Sequence, residues 1–403
     1  MLNFFKNYYH YFLAWLGDFI YRHPSEKLFV LGVTGTKGKS TTLELINAIL
    51  EAAGKKTALL SSVRVKVGEK SELNKTGNTM PGRFFIQRFL RDAARAGCDF
   101  ALVEVTSQGI VQNRHAFIDW NAAAFTNLRP EHLESHGSFE NYREAKVNFF
   151  EYVAKKSNKS GKIFLINEDD AAKEYFRSGA NGFGEIIYFS REIFVERELN
   201  NGGVSIGDWL ASNFNLENAA LATAFAKSQG VIWPVIQKAL QDFKGVPGRM
   251  EVIQEKPFKV VVDYAHTPDS LEKVYESLKA SELICVLGAA GGGRDKWKRP
   301  EMGAIAAKYC REIILTDEDP YDEKPSQILS EIKSGITNYQ FPITNLYEIL
   351  DRREAVQKAI SLAQKGDTVI ITGKGSESWI RLARGKKIPW SDRGVVEEIL
   401  KNS

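Results

Sequence analysis

Residues 33–42, VTGTKGKSTT, constrain this chain more than any other stretch. They follow a short apolar run at 28–33. They open onto helical spacing at Leu43, Ile46, Ile49, Leu50 and Ala53, which Gly54 stops. A glycine-rich turn between strand and helix aims backbone N–H groups at one point, and the helix N-terminus adds partial positive charge. Such a segment is built for phosphate oxygens. Lys39 can neutralise β/γ charge, and the Ser40 hydroxyl can sit on a magnesium ion. The common spacing puts a glycine at position 33, where this chain has Val33. Gly32 and Gly35 flank it, so the loop is a variant.

A strand feeding a phosphate loop implies a parallel α/β sheet, and the rest of the chain alternates accordingly. Strands are predicted at 57–60, 100–105, 122–126 and 162–166, with helix-like stretches between several of them. A second series has strands at 259–263, 283–288, 312–316 and 368–372, and helices over 270–279, 300–309, 326–333 and 352–364. The Gly/Pro-rich run 245–249, GVPGR, reads as a junction. The expected class is α/β. A central P-loop ATPase-like domain with a mainly parallel sheet (26–247) precedes a C-terminal Rossmann-like α/β domain (248–403). An aromatic helical segment (1–25) comes before both.

The 403 residues carry 43% hydrophobic and 26% charged side chains, which excludes wholesale disorder, collagen-like and coiled-coil folds. A net charge of +4 is too small to suggest a dedicated nucleic-acid binder. Cys98, Cys285 and Cys310 are odd in number and widely spaced, so no disulfide framework or zinc pattern is drawn, and a reducing cytoplasm fits. Residues 2–21 are aromatic but interrupted by Lys6, His10 and Asp18, short of a membrane span and without the features of a signal peptide. As a helix they place Phe5, Tyr8, Phe12, Leu16 and Phe19 on one face. That face is expected to pack on the following domain, with partner or membrane-surface contact as the alternative.

Polar residues gather where strands end. Glu104 follows FALV, and 125–137, FTNLRPEHLESHG, lies just beyond another strand. Open α/β sheets bind ligands outside the carboxyl ends of their strands. Glu104 and His132 can therefore face the phosphate loop and hold a metal, although His132 alone reads as a solvated loop histidine.

Several further motifs stand in order along the chain: EVTSQGIVQNR (104–114), FTNLRPEHLESHGSFENYREAK (125–146), NFNLEN (213–218), VPGRME (246–251), DYAHTPDSLE (263–272), GGGRDKWKRPEMG (291–303) and TGKGSE (372–377). With the phosphate loop they resemble the Mur ligases, ATP-dependent amide-forming enzymes of peptidoglycan precursor synthesis. They are most similar to the UDP-N-acetylmuramoyl-tripeptide synthetase (MurE) type. The resemblance implies ATP and Mg²⁺ as cofactors, and a muropeptide acceptor and a free amino acid as partners, with no nucleic acid and a monomeric state. It assigns Gly35, Thr36, Gly38, Lys39, Ser40, Thr41, Asn218, Arg249, Asp263 and His266 to ATP. Ser40, Glu104 and His132 fall to the metals. Lys146 matches a lysine that the family carbamylates. Catalysis would rest on Lys39, Lys146, His132 and Arg249. Thr79, Ser107, Gln112 and Arg114 match positions that hold the acyl substrate. Arg294, Glu318, Asp319, Tyr321, Gly373 and Glu377 match those that hold the amino acid.

Two departures stand out. The family's extra N-terminal domain, which contacts the UDP end of the acceptor, is not matched by residues 1–27. In addition, the Asp-Asn-Pro-Arg motif of diaminopimelate enzymes aligns with Glu318-Asp319-Pro320-Tyr321. Tyr321 offers one neutral hydrogen bond where arginine would grip a second carboxylate, which favours L-lysine or a similar diamino acid over meso-diaminopimelate. The competing readings are a folylpolyglutamate synthase-like ligase and a non-catalytic nucleotide-binding partner protein.

Overall fold

The computed structural model describes residues 2–131, 133–200, 208–337 and 345–402. They form two compact units: Met1–Pro130 with His136–Lys244, and Glu131–Ser135 with Gly245–Ser403.

In chain order the elements up to residue 244 are α1 Leu2–Tyr21, β1 Phe29–Thr34, α2 Lys39–Ala52, β2 Thr57–Leu60, β3 Arg64–Val67, β4 Lys70–Leu73, α3 Arg83–Arg95, β5 Phe100–Glu104, α4 Ser107–Val111, β6 Ala122–Phe125, α5 Leu133–His136, α6 Phe139–Lys156, β7 Ile163–Asn167, α7 Lys173–Ala180, β8 Glu185–Phe189, α8 Arg191–Phe194, α9 Asn213–Ser228 and α10 Trp233–Asp242. The sheet runs β4-β3-β2-β5-β1-β6-β7-β8. From β2 to β8 all neighbours are parallel, while β3 and β4 add an antiparallel edge hairpin. Strand alternation sends Val30, Leu60, Val103 and Phe125 to one face, against Phe89 and Leu90 of α3 and Phe149 and Phe150 of α6. Leu31, Val33, Leu59 and Leu102 point the other way, against Leu43, Ile46 and Ile49 of α2 and Phe225 of α9. Burying one such side chain contributes about 1.5–3 kcal/mol, so these two layers fix β1 at the sheet centre. The phosphate loop is held there with it.

The second unit contains β9 Glu251–Gln254, β10 Lys259–Val262, α11 Pro268–Leu278, β11 Leu283–Leu287, α12 Lys298–Tyr309, β12 Cys310–Leu315, α13 Pro325–Thr337, β13 Leu346–Glu348, α14 Arg352–Leu362, β14 Thr368–Ile371, β15 Trp379–Arg381, β16 Lys387–Pro389 and α15 Asp392–Asn402. Its sheet order is β13-β12-β11-β14-β10-β9, parallel except for β9, and β15 pairs with β16 as a hairpin. Val260, Ile284, Ile314 and Val369 pack on one face against Val356 and Ala359 of α14 and Val396 of α15.

Two sequence expectations are corrected here. The face of α1 expected to pack is the exposed one: Tyr8, Phe12 and Phe19 are 62%, 52% and 59% exposed, Trp15 joins them, and Leu16 is half-buried. The side chain of Phe5 lies outside the described residues. Ala14, Gly17 and Asp18 are buried instead. A Cβ on Gly17 would sit 3.5 Å from Gln87 and 3.8 Å from Phe84 of α3, so the helices meet on the small residues, which allow the closest approach. The outward rings follow one another along the helix, Phe12 tilted against Trp15 at 5.6 Å and Trp15 stacked on Phe19 at 5.8 Å. Second, Cys285 and Cys310 form a disulfide with their Cα atoms 6.0 Å apart, because β11 and β12 are neighbours; Cys98 is free and buried. Among the described residues no helix is long and apolar enough to cross a membrane.

Candidate active site

The phosphate loop leaves β1 and enters α2. Gly35 has φ 143°, and a Cβ there would lie 2.0 Å from Thr126 Oγ1, so only glycine lets the loop close on the segment after β6. That segment braces it. Thr36 N donates to Asn127 O (2.8 Å), Lys37 N to Asn127 Oδ1 (3.0 Å), and Thr126 Oγ1 to Lys37 O (2.7 Å). Gly38 is the N-cap of α2, tight against Asn218 Oδ1, which also accepts from Thr42 Oγ1 (3.2 Å). Asn218 thus lies under the start of α2. Thr41 is buried in the first turn of α2. Gly32, inside β1, lets Phe149 and Trp120 pack where any Cβ would collide, which is why a glycine falls here rather than at 33.

Lys39 Nζ spans the loop, donating to Gly35 O (3.0 Å) and Thr36 O (2.9 Å), and stands 4.0 Å from Glu104 Oε1. Glu104, at the end of β5, accepts from Ser40 Oγ (2.8 Å) and Ser62 N (2.9 Å); Ser62 Oγ is 2.8 Å from Ser40 Oγ. One carboxylate and two hydroxyls at a phosphate loop suit a hard cation such as Mg²⁺, which takes few protein oxygens and keeps phosphate and water ligands. His132, the third expected ligand, lies outside the described residues. Among the described residues no three His, Cys, Asp or Glu side chains converge as a metal cluster.

Lys146 of α6 is 2% exposed and reaches the same loop. Its Nζ donates to Gly35 O (2.7 Å) and lies 4.6 Å from the Tyr142 ring, whose hydroxyl is 3.1 Å from Thr36 Oγ1. His136 is a neighbour that the sequence left unassigned, although it lies within the quoted 125–146 motif. Its Nε2 is 3.0 Å from Ser107 Oγ, and burial together with the Lys146 charge holds its pKa below the ordinary value, which favours a neutral imidazole. Ser107 opens α4, where the Thr106 side chain caps Gly109 N. Past α4, Arg114 Nη2 donates to Gln112 Oε1 (2.7 Å), and its Nη1 donates to the carbonyl of Met80, next to Thr79. Thr79, Gln112 and Arg114 therefore belong to one surface.

On the second unit, Arg249 lies 4.0 Å over the Tyr264 ring and donates to Gly248 O (3.2 Å). Asp263 is a brace: its oxygens accept from Met250 N and Ala265 N, both at 2.7 Å. His266 Nδ1 donates to Tyr264 O (2.6 Å), and its Nε2 stands 3.2 Å from Glu131 Oε1.

The expected amino-acid residues gather around a buried lysine that sequence reasoning passed over. Lys374 is 0% exposed and donates to Asp319 Oδ1 (2.8 Å) and Glu377 Oε2 (2.5 Å). Tyr264 donates to the other Glu377 oxygen (2.9 Å). Asp319 also accepts from Arg381 N (2.9 Å), with Arg381 Nε 3.9 Å from its second oxygen. Glu318 is buried with Oε2 lacking a hydrogen-bond partner, and its carboxylate lies so close to Gly373 that a Cβ there would be 2.4 Å away. Burial pushes its pKa up to about 7 although Lys374 and Arg352 oppose this, and burial pushes Asp317 to about 6. Arg294 Nη2 donates to Tyr321 OH (3.0 Å), and Tyr321 N donates to Arg381 O (3.2 Å), so two guanidinium-bearing residues flank this tyrosine. Arg299 is fully buried and committed to Glu323 and Glu331 of its own unit.

Comparisons with known proteins bear on this geometry. Residues 33–226 match the Mur ligase middle domain, and 248–375 match the Mur ligase glutamate ligase domain. The chain is 37% identical over 408 residues to the UDP-N-acetylmuramoyl-L-alanyl-D-glutamate–2,6-diaminopimelate ligase of Syntrophomonas wolfei, covering 96% of this chain and 81% of that protein. The corresponding Aquifex aeolicus ligase is also 37% identical, over 94% of this chain and 78% of its own length. A solved structure of a ligase of that name superposes with a TM-score of 0.58 at 30% identity, covering 93% of this chain and 78% of the other. Mycobacterium tuberculosis folylpolyglutamate synthase gives 0.67 at 16% identity, over 89% and 91%, a likeness of fold alone.

Proposed function

The chain belongs to the Mur ligase family, and from that premise we propose that it adds a diamino acid, meso-diaminopimelate, to a UDP-N-acetylmuramoyl-L-alanyl-D-glutamate acceptor. It is an ATP-dependent carboxylate–amine ligase of peptidoglycan precursor synthesis, acting in the cytoplasm. The observation that carries the reading is the phosphate loop with Ser40 Oγ 2.8 Å from Glu104 and Lys39 across the loop.

A carboxylate and an amine do not condense in water unless the carboxylate is activated. The acceptor carboxylate oxygen attacks the γ-phosphorus of ATP, the bond to the β-bridging oxygen breaks, and ADP leaves. The amine nitrogen then attacks the acyl carbon, phosphate leaves, and the amine gives up a proton. The first step brings two anions together, so catalysis is chiefly placed positive charge. Lys39 and the backbone N–H groups at the start of α2 supply it on the first unit. On the second unit Arg249 is held flat on Tyr264. Ser40 and Glu104 would hold Mg²⁺, whose charge offsets that of the phosphates. Asn218 keeps the start of α2 in place, and Thr79, Ser107, Gln112 and Arg114 would hold the acyl substrate.

Lys146 is read here as carbamylated, the buried ammonium turned into an anion beside the loop. Intact-mass measurement with peptide mapping should find one added carbon dioxide on Lys146 when the protein is kept in bicarbonate. An unmodified lysine in fully active enzyme would refute this.

For the amino acid, the pocket supports diaminopimelate over the lysine that Tyr321 alone favours. The negative charge of Asp319 is matched by Lys374, and Arg294 and Arg381 on either side of Tyr321 can each meet a carboxylate. Glu318, whose Oε2 has no hydrogen-bond partner, remains for an ammonium group, while Glu377 is held by Lys374 and Tyr264. Steady-state kinetics test this. kcat/KM for meso-diaminopimelate should exceed that for L-lysine by about tenfold or more, equivalent to about 1.4 kcal/mol at the transition state. The reverse ratio would restore lysine, and turnover with neither would remove the assignment.

A further inference from the structure

Arg83 stands at the first position of α3, and its Nη2 donates to the carbonyl of Gln112. Arg114 is tied to the same residue through Gln112 Oε1 (2.7 Å) and to the Met80 carbonyl on the loop leading into α3. Two guanidiniums therefore converge around Gln112, between the start of α3 and the end of α4. The Nε atoms of both are buried and make no hydrogen bond. Among the described residues no carboxylate pairs with either: their charged and titratable surroundings are each other and Tyr9. Burial and the charge of Arg114 both press the pKa of Arg83 below its ordinary value, yet arginine stays protonated at any physiological pH.

This arrangement is unfavourable by itself. Two like charges share a partly desolvated spot without a counter-ion. Arg83 also occupies the first turn of a 13-residue helix with no acidic residue there, where the helix dipole disfavours a cation. Bracing the Gln112 carbonyl does not account for it, since a neutral amide donor would serve as well. The costs are offset only if an anion enters, and the same three sources of positive potential would then act together on it. The neighbours Thr79, Gln112 and Arg114 belong to the surface read above as part of the acyl-acceptor site.

We infer that Arg83 is a second anion-holding residue of that site, closing with Arg114 on a non-reacting oxyanion of the acceptor. The inference rests on the ligase reading and deepens it. The oxyanion is either a carboxylate of the dipeptide or a phosphate of the nucleotide handle, and both present the planar or tetrahedral oxygens that a guanidinium fork grips.

The test compares wild type with Arg83→Met and Arg83→Lys, using the UDP-linked dipeptide acceptor and the same muramoyl dipeptide without the nucleotide. For Arg83→Met the acceptor KM should rise about tenfold or more while kcat and the KM for ATP change by less than about twofold, with Arg83→Lys in between. A rise seen with both acceptors places the carboxylate at Arg83; a rise confined to the UDP-linked one places the phosphate there. The melting temperature provides a readout of opposite sign. Removing an unpaired like charge should leave Arg83→Met at least as stable as wild type, whereas a purely structural arginine would lower it. An unchanged acceptor KM, or a loss of melting temperature with no change in KM, overturns the inference. Failure of wild type itself to bind either acceptor sinks the ligase reading and this inference together, a result distinct from a wild type that binds and a variant that matches it.

Discussion

Lys39→Ala is expected to remove turnover while leaving the fold intact. Lys39 Nζ is a side-chain cation of the phosphate loop, 3.0 and 2.9 Å from two loop carbonyls and 4.0 Å from Glu104. In the first chemical step a carboxylate must approach an already anionic γ-phosphate, so a preorganised ammonium acts most strongly as charge shifts towards the leaving oxygen. Loss of one such group costs about 10²–10³ in rate, or about 2.7–4 kcal/mol. The hydrophobic layers that hold β1 and α2 do not include Lys39, so its truncation leaves the core untouched. Phosphate release that requires both acceptor and amino acid is the quantity to measure, with a thermal melt as control. A folded variant within about threefold of the wild-type kcat would exclude this loop as the catalytic nucleotide site.

The loop, its strand and its helix were legible because local sequence specifies them: an apolar run, a glycine turn and a 3.6-residue periodicity. The same holds for β2, read as 57–60 and found at Thr57–Leu60. What was hidden depends on which elements become neighbours. Cys285 and Cys310 are 25 residues apart, and nothing local says that β11 and β12 are adjacent. In α1 the aromatics recur so densely that periodicity finds a stripe but not its direction, and the packing face is chosen by Ala14 and Gly17. Strand β4, KSEL, is exposed throughout, so it carries no hydrophobic signal and only the edge of the sheet makes it a strand. The candidate site divides in the same way. Motifs named Lys39, Ser40, Glu104 and Glu377. The supports Ser62, Thr126, Asn127, His136 and Lys374 are ordinary residues until the fold sets them against those groups. Lys374 even stands inside the TGKGSE motif, where a lysine reads as a surface cation rather than the fully buried centre of a carboxylate cluster.

Lys374→Met should be strongly destabilising, with a cost that depends on pH. The ammonium is completely buried between Asp319 and Glu377, with Glu318 near enough to feel its charge. Removing one partner of a buried pair strands the other, at about 3–5 kcal/mol. In the wild type, burial pushes Glu377 upward, but Lys374 and the Tyr264 hydroxyl hold it below the ordinary carboxylate range. A carboxylate depressed in this way contributes stability above its unfolded pKa of 4.5, and loses it as pH falls through the folded value. The variant forfeits that contribution. Glu318 has the opposite sign: its folded pKa of about 7 exceeds the unfolded 4.5, so it binds extra protons when native, and its contribution to stability declines as pH rises between those values. Without Lys374 its pKa moves higher still, and the decline extends to more alkaline pH. The lost Glu377 contribution is already in force at pH 5, above its unfolded pKa of 4.5, and the Glu318 effect adds to it as pH rises, so the deficit of Lys374→Met grows from pH 5 towards pH 8. Urea unfolding of wild type and variant at several pH values measures it directly. In parallel, the KM for the amino acid should rise, because Glu318, its pKa raised further without Lys374, carries less negative charge to attract an ammonium group. A deficit that stays constant with pH, or remains under about 1 kcal/mol at pH 8, would mean that Lys374 is not the counter-charge of this pocket.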